Sequence, residues 1–139
     1  MLNNRNAILI GSNIATLTLL TESIRSIEPE LRCISFVYAD EASEVILHEL
    51  KHAPEYIFVD ADTARISGAA FLKRLHTWRL SNACCIVVFA NVMPGAVAEA
   101  YKTKGADFAF QMPLTEPDMV QELTPLLKPQ DHQPQLTDA

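Results

Sequence analysis

The sequence predicts a three-layer α/β/α fold, in which a doubly wound, five-stranded parallel sheet lies between two layers of helices. Five short apolar runs alternate with longer amphipathic segments along the 139 residues. The apolar runs are continuous and do not alternate with polar residues, which is typical of parallel strands buried on both faces. Right-handed connections between such strands give the doubly wound arrangement.

The first half of the chain contains two strand–helix units and a third strand. Residues 7–10 form an apolar run, and apolar residues then recur at helical spacing up to Ile27. The stretch 32–38 is rich in β-branched and aromatic residues, which predicts the second strand. Asp40 is a candidate cap for the helix that follows, and residues 56–59 form the third apolar run.

The next unit has clear boundary signals. Residues 69–80 carry apolar side chains at helical spacing, and residues 84–89 form the fourth apolar run. Pro94 predicts the start of another helix, because proline fits the first turn, and Gly105 predicts its end as a C-cap.

The last unit is weaker, and a polar segment follows it. Residues 108–110 predict a short fifth strand, and the Thr115-x-x-Asp118 pattern predicts a capped final helix. We therefore expect one domain over residues 1–127. The segment 128–139 is polar, contains two prolines and has no periodicity, which predicts a flexible tail.

Charge and cysteine content exclude several classes of function. Seventeen acidic residues oppose eleven basic ones, giving a net charge of −6, which argues against binding to nucleic acid or to anionic membranes. No apolar run approaches the roughly 18 residues of a membrane span. The three cysteines, Cys33, Cys84 and Cys85, lie in apolar runs, so we expect free buried thiols and a reducing, cytoplasmic location.

Two segments carry a family resemblance. The segment 58–75, FVDADTARISGAAFLKRL, resembles the third strand, loop and third helix of bacterial response-regulator receiver domains, the CheY-like family. Asp60 falls on the phosphoacceptor aspartate of that family, and Gly68 on its glycine eight residues later. The segment 101–114, YKTKGADFAFQMPL, resembles the family's KAGADDYLVKPF segment. Its matching residues are Gly105, Ala106, Asp107 and Pro113.

The resemblance covers residues 7–127 and implies the flavodoxin/CheY-like strand order 2-1-3-4-5. It also implies a role in two-component or phosphorelay signalling, with a histidine kinase or a downstream signalling protein as partner. The family's output face is formed by the fourth helix, the fifth strand and the fifth helix, and it is also a candidate homodimer contact. In this chain the face would carry Val97, Tyr101, Phe108, Phe110 and Leu114.

Several positions depart from the family pattern. The acidic pair that binds Mg²⁺ after the first strand is replaced by Ser12 and Asn13. Since Mg²⁺ prefers anionic oxygen ligands, the metal would be left with Asp60 and the backbone carbonyl of Asp62, so at most weak binding is expected. No other cofactor or metal is expected.

The residues that would hold and sense a phosphoryl group are also replaced. Met112 stands where the family has a lysine, and Ala90 where it has threonine or serine. The aromatic switch position falls on Ala109. Phosphoryl transfer to a carboxylate needs cations around the transferring oxygens. We therefore expect a non-enzymatic pseudo-receiver, meaning a receiver-like domain that acts through protein contacts without conventional aspartyl phosphorylation.

Two alternatives stay open on the sequence. Because Asp60 is intact, the chain could be a response regulator that still accepts a phosphoryl group there. More distantly, the hydroxyl-rich stretch GSNIATLT after the first strand would suit a flavodoxin-like domain that binds a small ligand. It lacks the glycine spacing and the lysine of known phosphate loops.

Overall fold

A computed structural model describes the backbone of residues 5–62 and 68–136, and the side chains of this part up to residue 127. Five parallel strands form one sheet in the order β2-β1-β3-β4-β5, which confirms the predicted fold class. The strands are β1 (Asn6–Ile10), β2 (Arg32–Phe36), β3 (Tyr56–Asp60), β4 (Cys85–Ala90) and β5 (Phe108–Gln111).

Five helices cover the sheet from both sides. Two of them pack together on one face, and the other three lie over the opposite face. The first pair is α1 (Ile14–Ile27) and α5 (Glu116–Leu136). The second group is α2 (Ala39–His48), α3 (Gly68–Leu80) and α4 (Gly95–Thr103).

The core consists of two apolar clusters, one on each face of the sheet. Strand β3 contributes to both, because successive side chains of a strand point to opposite faces. Ile57 and Val59 pack in the cluster beneath α2 and α3, whereas Tyr56 and Phe58 pack in the cluster beneath α1 and α5. All four are fully buried, so the continuous apolar run has the double burial that its sequence predicts.

Local signals fix the helix ends. The Asn13 side chain accepts a hydrogen bond from the Thr16 backbone N–H at 3.1 Å, which caps α1. Thr115 caps α5 in the same way, since its hydroxyl accepts from the Asp118 N–H at 3.3 Å. Gly105 follows α4 with φ of 119°, a left-handed conformation that favours glycine.

Helix α2 differs from its sequence prediction at its start. Tyr38, not Asp40, is the N-cap, and the helix ends at His48. Asp40 lies in the first turn, where its carboxylate accepts from the Glu41 N–H at 3.0 Å. The earlier start follows from packing, because Ala39 is itself buried against the sheet.

Helix α5 is longer than predicted. Its backbone stays helical to Leu136, whereas the sequence predicts a flexible tail from residue 128. Residues 137–139 of the predicted tail lie outside the described residues, and the domain boundary at residue 127 stays a prediction.

A carboxylate joins three elements at the amino ends of β4 and β5. Asp107 accepts from the Arg79 guanidinium at 2.6 Å and from the Ile86 backbone N–H at 2.8 Å. Its own N–H donates to the Ile86 carbonyl at 2.8 Å. These bonds attach the edge strand β5 to β4 and to the end of α3.

In the described part of the chain, no helix is long and apolar enough to cross a membrane.

Because β3 is buried on both faces, truncating either of two successive β3 side chains should lower the free energy of unfolding. We expect Ile57→Ala to lower the free energy of unfolding by about 2–5 kcal/mol and Phe58→Ala by about 3–5 kcal/mol, since each leaves a cavity in a different cluster. The control Leu80→Ala removes a side chain that is 74% exposed and should cost less than about 0.5 kcal/mol. Urea unfolding followed by circular dichroism measures all three. A small cost at either β3 position would contradict burial on both faces.

Candidate functional site

The carboxyl ends of β1, β3 and β4 meet at one edge of the sheet, where ligands bind in folds of this kind. Asp60 is the last residue of β3. Ile10 pairs with Val59, so the next residue of the first chain segment, Gly11, lies beside Asp60. A Cβ atom on Gly11 would lie 3.5 Å from the Asp60 Cβ and 3.8 Å from its Oδ2. We call this region around the Asp60 carboxylate the Asp60 site.

The Asp60 carboxylate is half-buried, and a backbone N–H donates a hydrogen bond to it. Its Oδ1 accepts from the Asp62 N–H at 2.9 Å. Burial raises the pKa of the Asp60 carboxyl above its ordinary value of 3.8. The Asp62 N–H lowers this pKa in part, and the negative charge of Asp62 raises it further. The environment therefore disfavours the charged form of Asp60.

The two residues that replace the family's acidic pair face solvent. Ser12 and Asn13 are both exposed, and the Asn13 side chain is engaged in capping α1. The residue next to Asp60 is Gly11, which the sequence analysis did not include among the site residues. The pairing register between β1 and β3 identifies it, and no local pattern in the sequence carries that register.

Ala90 and Met112 are both buried at the strand ends. Ala90 is 3% exposed, and its carbonyl accepts from the Met112 N–H at 2.8 Å. Met112 follows β5 on the same side as Phe110, and its side chain packs in the apolar cluster beneath α1 and α5. The position where the family has a cation thus contributes an apolar side chain to the core.

The loop between β4 and α4 is held by a side chain from β5. The Gln111 carboxamide oxygen accepts from the Met93 backbone N–H at 3.0 Å. Met93 is itself buried in the cluster beneath α2 and α3. Contacts within the protein therefore fix this loop. The sequence analysis did not single out Gln111, since a lone glutamine at a strand end carries no pattern.

Tyr101 and Gly68 pack against each other next to the acids. A Cβ on Gly68 would lie 3.1 Å from the Ala61 Cα and 3.5 Å from Cε1 of the Tyr101 ring, so glycine allows this close approach. Burial raises the pKa of the Tyr101 hydroxyl, and the charges of Asp62 and Asp60 raise it further. Tyr101 is therefore a protonated, half-buried neighbour of the site.

The donor set at the Asp60 site does not suit Mg²⁺. The ion prefers several hard oxygen ligands, usually carboxylates, in octahedral geometry. Beside Asp60 stands Gly11, which has no side-chain donor, and Asp62 is exposed on the loop after β3. Among the described residues, no group of three or more His, Cys, Asp or Glu side chains could hold a metal ion.

The predicted partner surface is exposed at some positions and buried at another. The exposed fractions are 41% for Val97, 38% for Phe108 and 93% for Leu114, and Tyr101 is half-buried. Phe110 corrects the prediction, because it is only 8% exposed and stacks on Phe89 with ring centroids 6.4 Å apart. Its side chain lies under α5, in the apolar cluster of that face.

A separate cavity of about 520 Å³ lies at the opposite end of the strands, beside the amino ends of β4 and β5. Cys84, Cys85 and Asp107 are among its lining residues. Burial raises the pKa of both thiols to about 12, so they stay protonated and weakly nucleophilic. The carboxylate of Asp107 is already engaged by Arg79 and Ile86. The described lining residues thus supply this cavity with no activated thiol and no free Asp107 carboxylate.

Solved structures with the same fold are response-regulator receiver domains. The signal receiver domain of a DNA-binding response regulator from Colwellia psychrerythraea is 14% identical, with a TM-score of 0.73 over 90% of this chain and 99% of that one. The chemotaxis response regulator CheY4 of Vibrio cholerae is 13% identical, with a TM-score of 0.73 over 88% and 98%. The phosphorylated cyanobacterial phytochrome response regulator RcpA is 13% identical, with a TM-score of 0.74 over 88% and 90%.

No family model and no curated protein sequence matches the chain. The chain therefore has the receiver-domain fold. A sequence identity of 13–14% is too low to transfer residue roles from these proteins. The chemistry of the strand-end residues has to decide the function.

The raised pKa of Asp60 predicts a pH-dependent gain in stability for Asp60→Asn. Because the folded state binds the Asp60 proton more tightly than the unfolded chain, wild-type stability falls as the pH rises above about 3.8. The neutral amide avoids this loss, so Asp60→Asn should unfold at a higher temperature at pH 7. The gain should vanish below pH 3.8, where both side chains are neutral.

Thermal unfolding between pH 3 and pH 8 measures this difference. The matched control is Glu22→Gln, which changes an exposed carboxylate of α1 in the same way and should give nearly equal stability throughout. An Asp60→Asn protein that is less stable than the wild type at pH 7 would contradict the electrostatic account of the site.

Proposed function

We propose that this chain is a pseudo-receiver, a receiver-like signalling domain that acts through protein contacts and not through Mg²⁺-dependent aspartyl phosphorylation. One observation carries the proposal. The half-buried Asp60 carboxylate has a glycine beside it and an apolar side chain where a cation would be needed. On this proposal the domain is a binding module and not an enzyme.

Electrostatics argues against phosphoryl transfer to Asp60. The transferring oxygens and the carboxylate are all negative, so the reaction depends on metal ions and cationic side chains placed around them. Met112 supplies no charge, and Gly11 supplies no ligand for a metal. Loss of one electrostatic stabiliser commonly slows a reaction by on the order of 100-fold or more. Loss of the lysine and of the acidic pair together should make phosphorylation negligible.

The loops at the site support the same proposal. A phosphorylation switch needs a loop that changes its contacts when the phosphoryl group arrives. Here the Gln111 side chain already holds the Met93 N–H, and the Ala90 carbonyl already accepts from the Met112 N–H. Ala90 also has no hydroxyl with which to bind a phosphoryl oxygen. The output face would then be kept in one conformation.

The partner proposed here is another signalling protein, either a histidine kinase or a downstream component of a two-component pathway. The exposed apolar side chains of Val97, Phe108 and Leu114 give such a partner a surface on α4, β5 and the loop before α5. The free thiols of Cys84 and Cys85 suit a reducing, cytoplasmic setting.

The alternative function is that of a phosphorylatable response regulator. The observation that favours it is Asp60 itself, which ends β3 at the expected edge and keeps its Oδ2 directed towards Gly11. A metal bound by Asp60 and solvent could in principle deliver slow phosphorylation. The two proposals differ in one measurable product, phosphoaspartate.

A phosphodonor experiment separates them. Wild-type protein incubated with Mg²⁺ and acetyl phosphate should keep its unmodified intact mass, because the transferring phosphoryl group finds no counter-charge at the site. The variant Gly11→Asp/Met112→Lys, which places a carboxylate beside Asp60 and a cation after β5, should gain the mass of one phosphoryl group at a rate at least about 100-fold higher. A Cβ at Gly11 makes only ordinary contacts, the nearest at 3.4 Å to Leu17, so the backbone there leaves room for the first side-chain atom.

Asp60→Asn in both backgrounds is the control that assigns any adduct to this carboxylate. A stoichiometric phosphoryl adduct on the wild type that disappears in Asp60→Asn would overturn the pseudo-receiver proposal and establish the alternative.

The exposed apolar face also allows a homodimer, in which a second copy covers the same residues. We expect the wild type to associate weakly and reversibly, and Leu114→Glu to raise the dissociation constant at least about tenfold by placing a charge in the contact. Sedimentation equilibrium measures both, with Leu80→Glu as the control on α3. A wild type that stays monomeric at high concentration would contradict the homodimer, and the exposed apolar face would then bind other proteins only.

A further inference from the structure

Helix α4 is held on the protein with little burial of its side chains. No residue of α4 is buried, although all nine lie in the described part of the chain. Ala98 and Tyr101 are half-buried and pack against the core, and the other residues of α4 are exposed. The hydrophobic effect therefore contributes little to keeping α4 in place, because it scales with the apolar area removed from water.

Local signals within α4 are also weak. Its nine residues make a helix shorter than those that form alone in water. Pro94, the N-cap, gives no side-chain hydrogen bond to the first turn. Lys102 and Glu99 form an ion pair at 3.5 Å, but both side chains are exposed, and pairs of this kind contribute little to stability. Contacts from outside α4 must therefore supply much of what holds it.

A side chain from α3 holds the turn that follows α4. Arg79 Nη1 donates to the Gly105 carbonyl at 3.1 Å, and Arg79 Nη2 donates to both carboxylate oxygens of Asp107, at 2.8 and 2.6 Å. The same turn is bonded back to α4, since the Ala106 N–H donates to the Tyr101 carbonyl at 3.0 Å. We call the contacts of Arg79 with Gly105 and Asp107 the Arg79 strap.

The Arg79 strap is anchored in well-packed structure. Arg79 lies in the last turn of α3, a helix that buries Phe71 and Leu75 against the sheet. Asp107 also accepts from the Ile86 backbone N–H of β4 at 2.8 Å, so the strap reaches the sheet as well. A single guanidinium thus joins the loosely packed α4 to two firmly packed elements.

Two other contacts position α4 at its start and at its middle. The Gln111 carboxamide oxygen accepts from the Met93 N–H at 3.0 Å, just before α4. The Tyr101 ring lies against Gly68, where an added Cβ would come within 3.5 Å of it. Because the hydrogen bonds of a short helix form and break together, loss of one anchor affects the whole helix. Segments with few buried contacts open locally, while the buried strands stay closed.

We propose that the Arg79 strap is a conformational device that keeps α4 seated, so that α4 opens as a unit when the strap is released. The Arg79 and Asp107 side chains are 27% and 36% exposed, so ions in solution reach the strap. It lies at the amino end of β5, whereas Asp60 ends β3 at the other end of the strands. Since Val97 belongs to α4, release would also move part of the output face.

The inference goes beyond the proposed function, because the strap acts whether or not Asp60 accepts a phosphoryl group. Hydrogen exchange of the ¹⁵N-labelled protein tests it. After correction for intrinsic rates, amides of α4 should exchange at least about 100-fold faster than those of β1 and β3, since local opening costs less than global unfolding. Raising NaCl from about 0.1 M to about 1 M should increase the ratio of α4 to β3 exchange rates several-fold, because salt screens the exposed ion pair.

Removal of the guanidinium is the decisive variant. Arg79→Ala should speed exchange of the α4 amides about tenfold, because charge-assisted hydrogen bonds to Gly105 and Asp107 are lost, and should leave β1 and β3 within about twofold. The salt response of α4 should disappear in this variant. Arg79→Lys keeps the charge but not the forked geometry and should give an intermediate rate.

The matched control is Arg25→Ala, which removes an exposed guanidinium of α1 and should exchange as the wild type does. Circular dichroism verifies that each variant folds, and Arg79→Lys carries the same comparison if Arg79→Ala does not fold.

Four outcomes would overturn the inference: α4 amides as well protected as those of β3, an increase in Arg79→Ala spread equally over α4 and all strands, an equal increase in Arg25→Ala, or a salt response of α4 that persists in Arg79→Ala. The phosphodonor experiment is independent of these, since the strap does not contact Asp60. A phosphorylated wild type would remove the proposed function and leave the exchange of α4 measurable.

Discussion

The central strands β1, β3 and β4 carry apolar side chains on both of their faces, because helices cover the sheet from both sides. A parallel sheet needs this double cover, since its crossover helices must return each strand to the same edge. Nearly every side chain of these strands is therefore committed to packing. Polar groups are left to the strand ends and to the loops that follow them.

Asp60 shows what that constraint does to a single carboxylate. It is the first polar side chain after four buried residues of β3, and its half-buried position raises its pKa. Proteins that use such a carboxylate offset this cost with nearby cations or metal ions. Here the neighbouring position is Gly11, and Met112 has joined the apolar cluster beneath α1 and α5. On the proposed function, the apolar core occupies the place where phosphoryl transfer would need a cation.

On the proposed function, the domain works by contact with other proteins. The loop after β4 is held by Gln111, so no bound group is needed to fix its conformation. Leu114 and Val97 are exposed apolar side chains. On the proposed function, apolar surface of this kind is where a partner protein would bind.

The amino-acid sequence determined the features that depend on neighbouring residues. The apolar runs specified the strands, Thr115 and Gly105 specified helix ends, and the motif around Asp60 located the candidate site. Only the tertiary structure decided that Gly11 lies beside Asp60, because the β1–β3 register joins residues about fifty positions apart. It likewise decided that Phe110 is buried while Phe108 is exposed, although strand alternation gives both the same side. Local pattern fixes which side of the sheet a side chain faces, whereas its burial depends on which helix happens to cover that point.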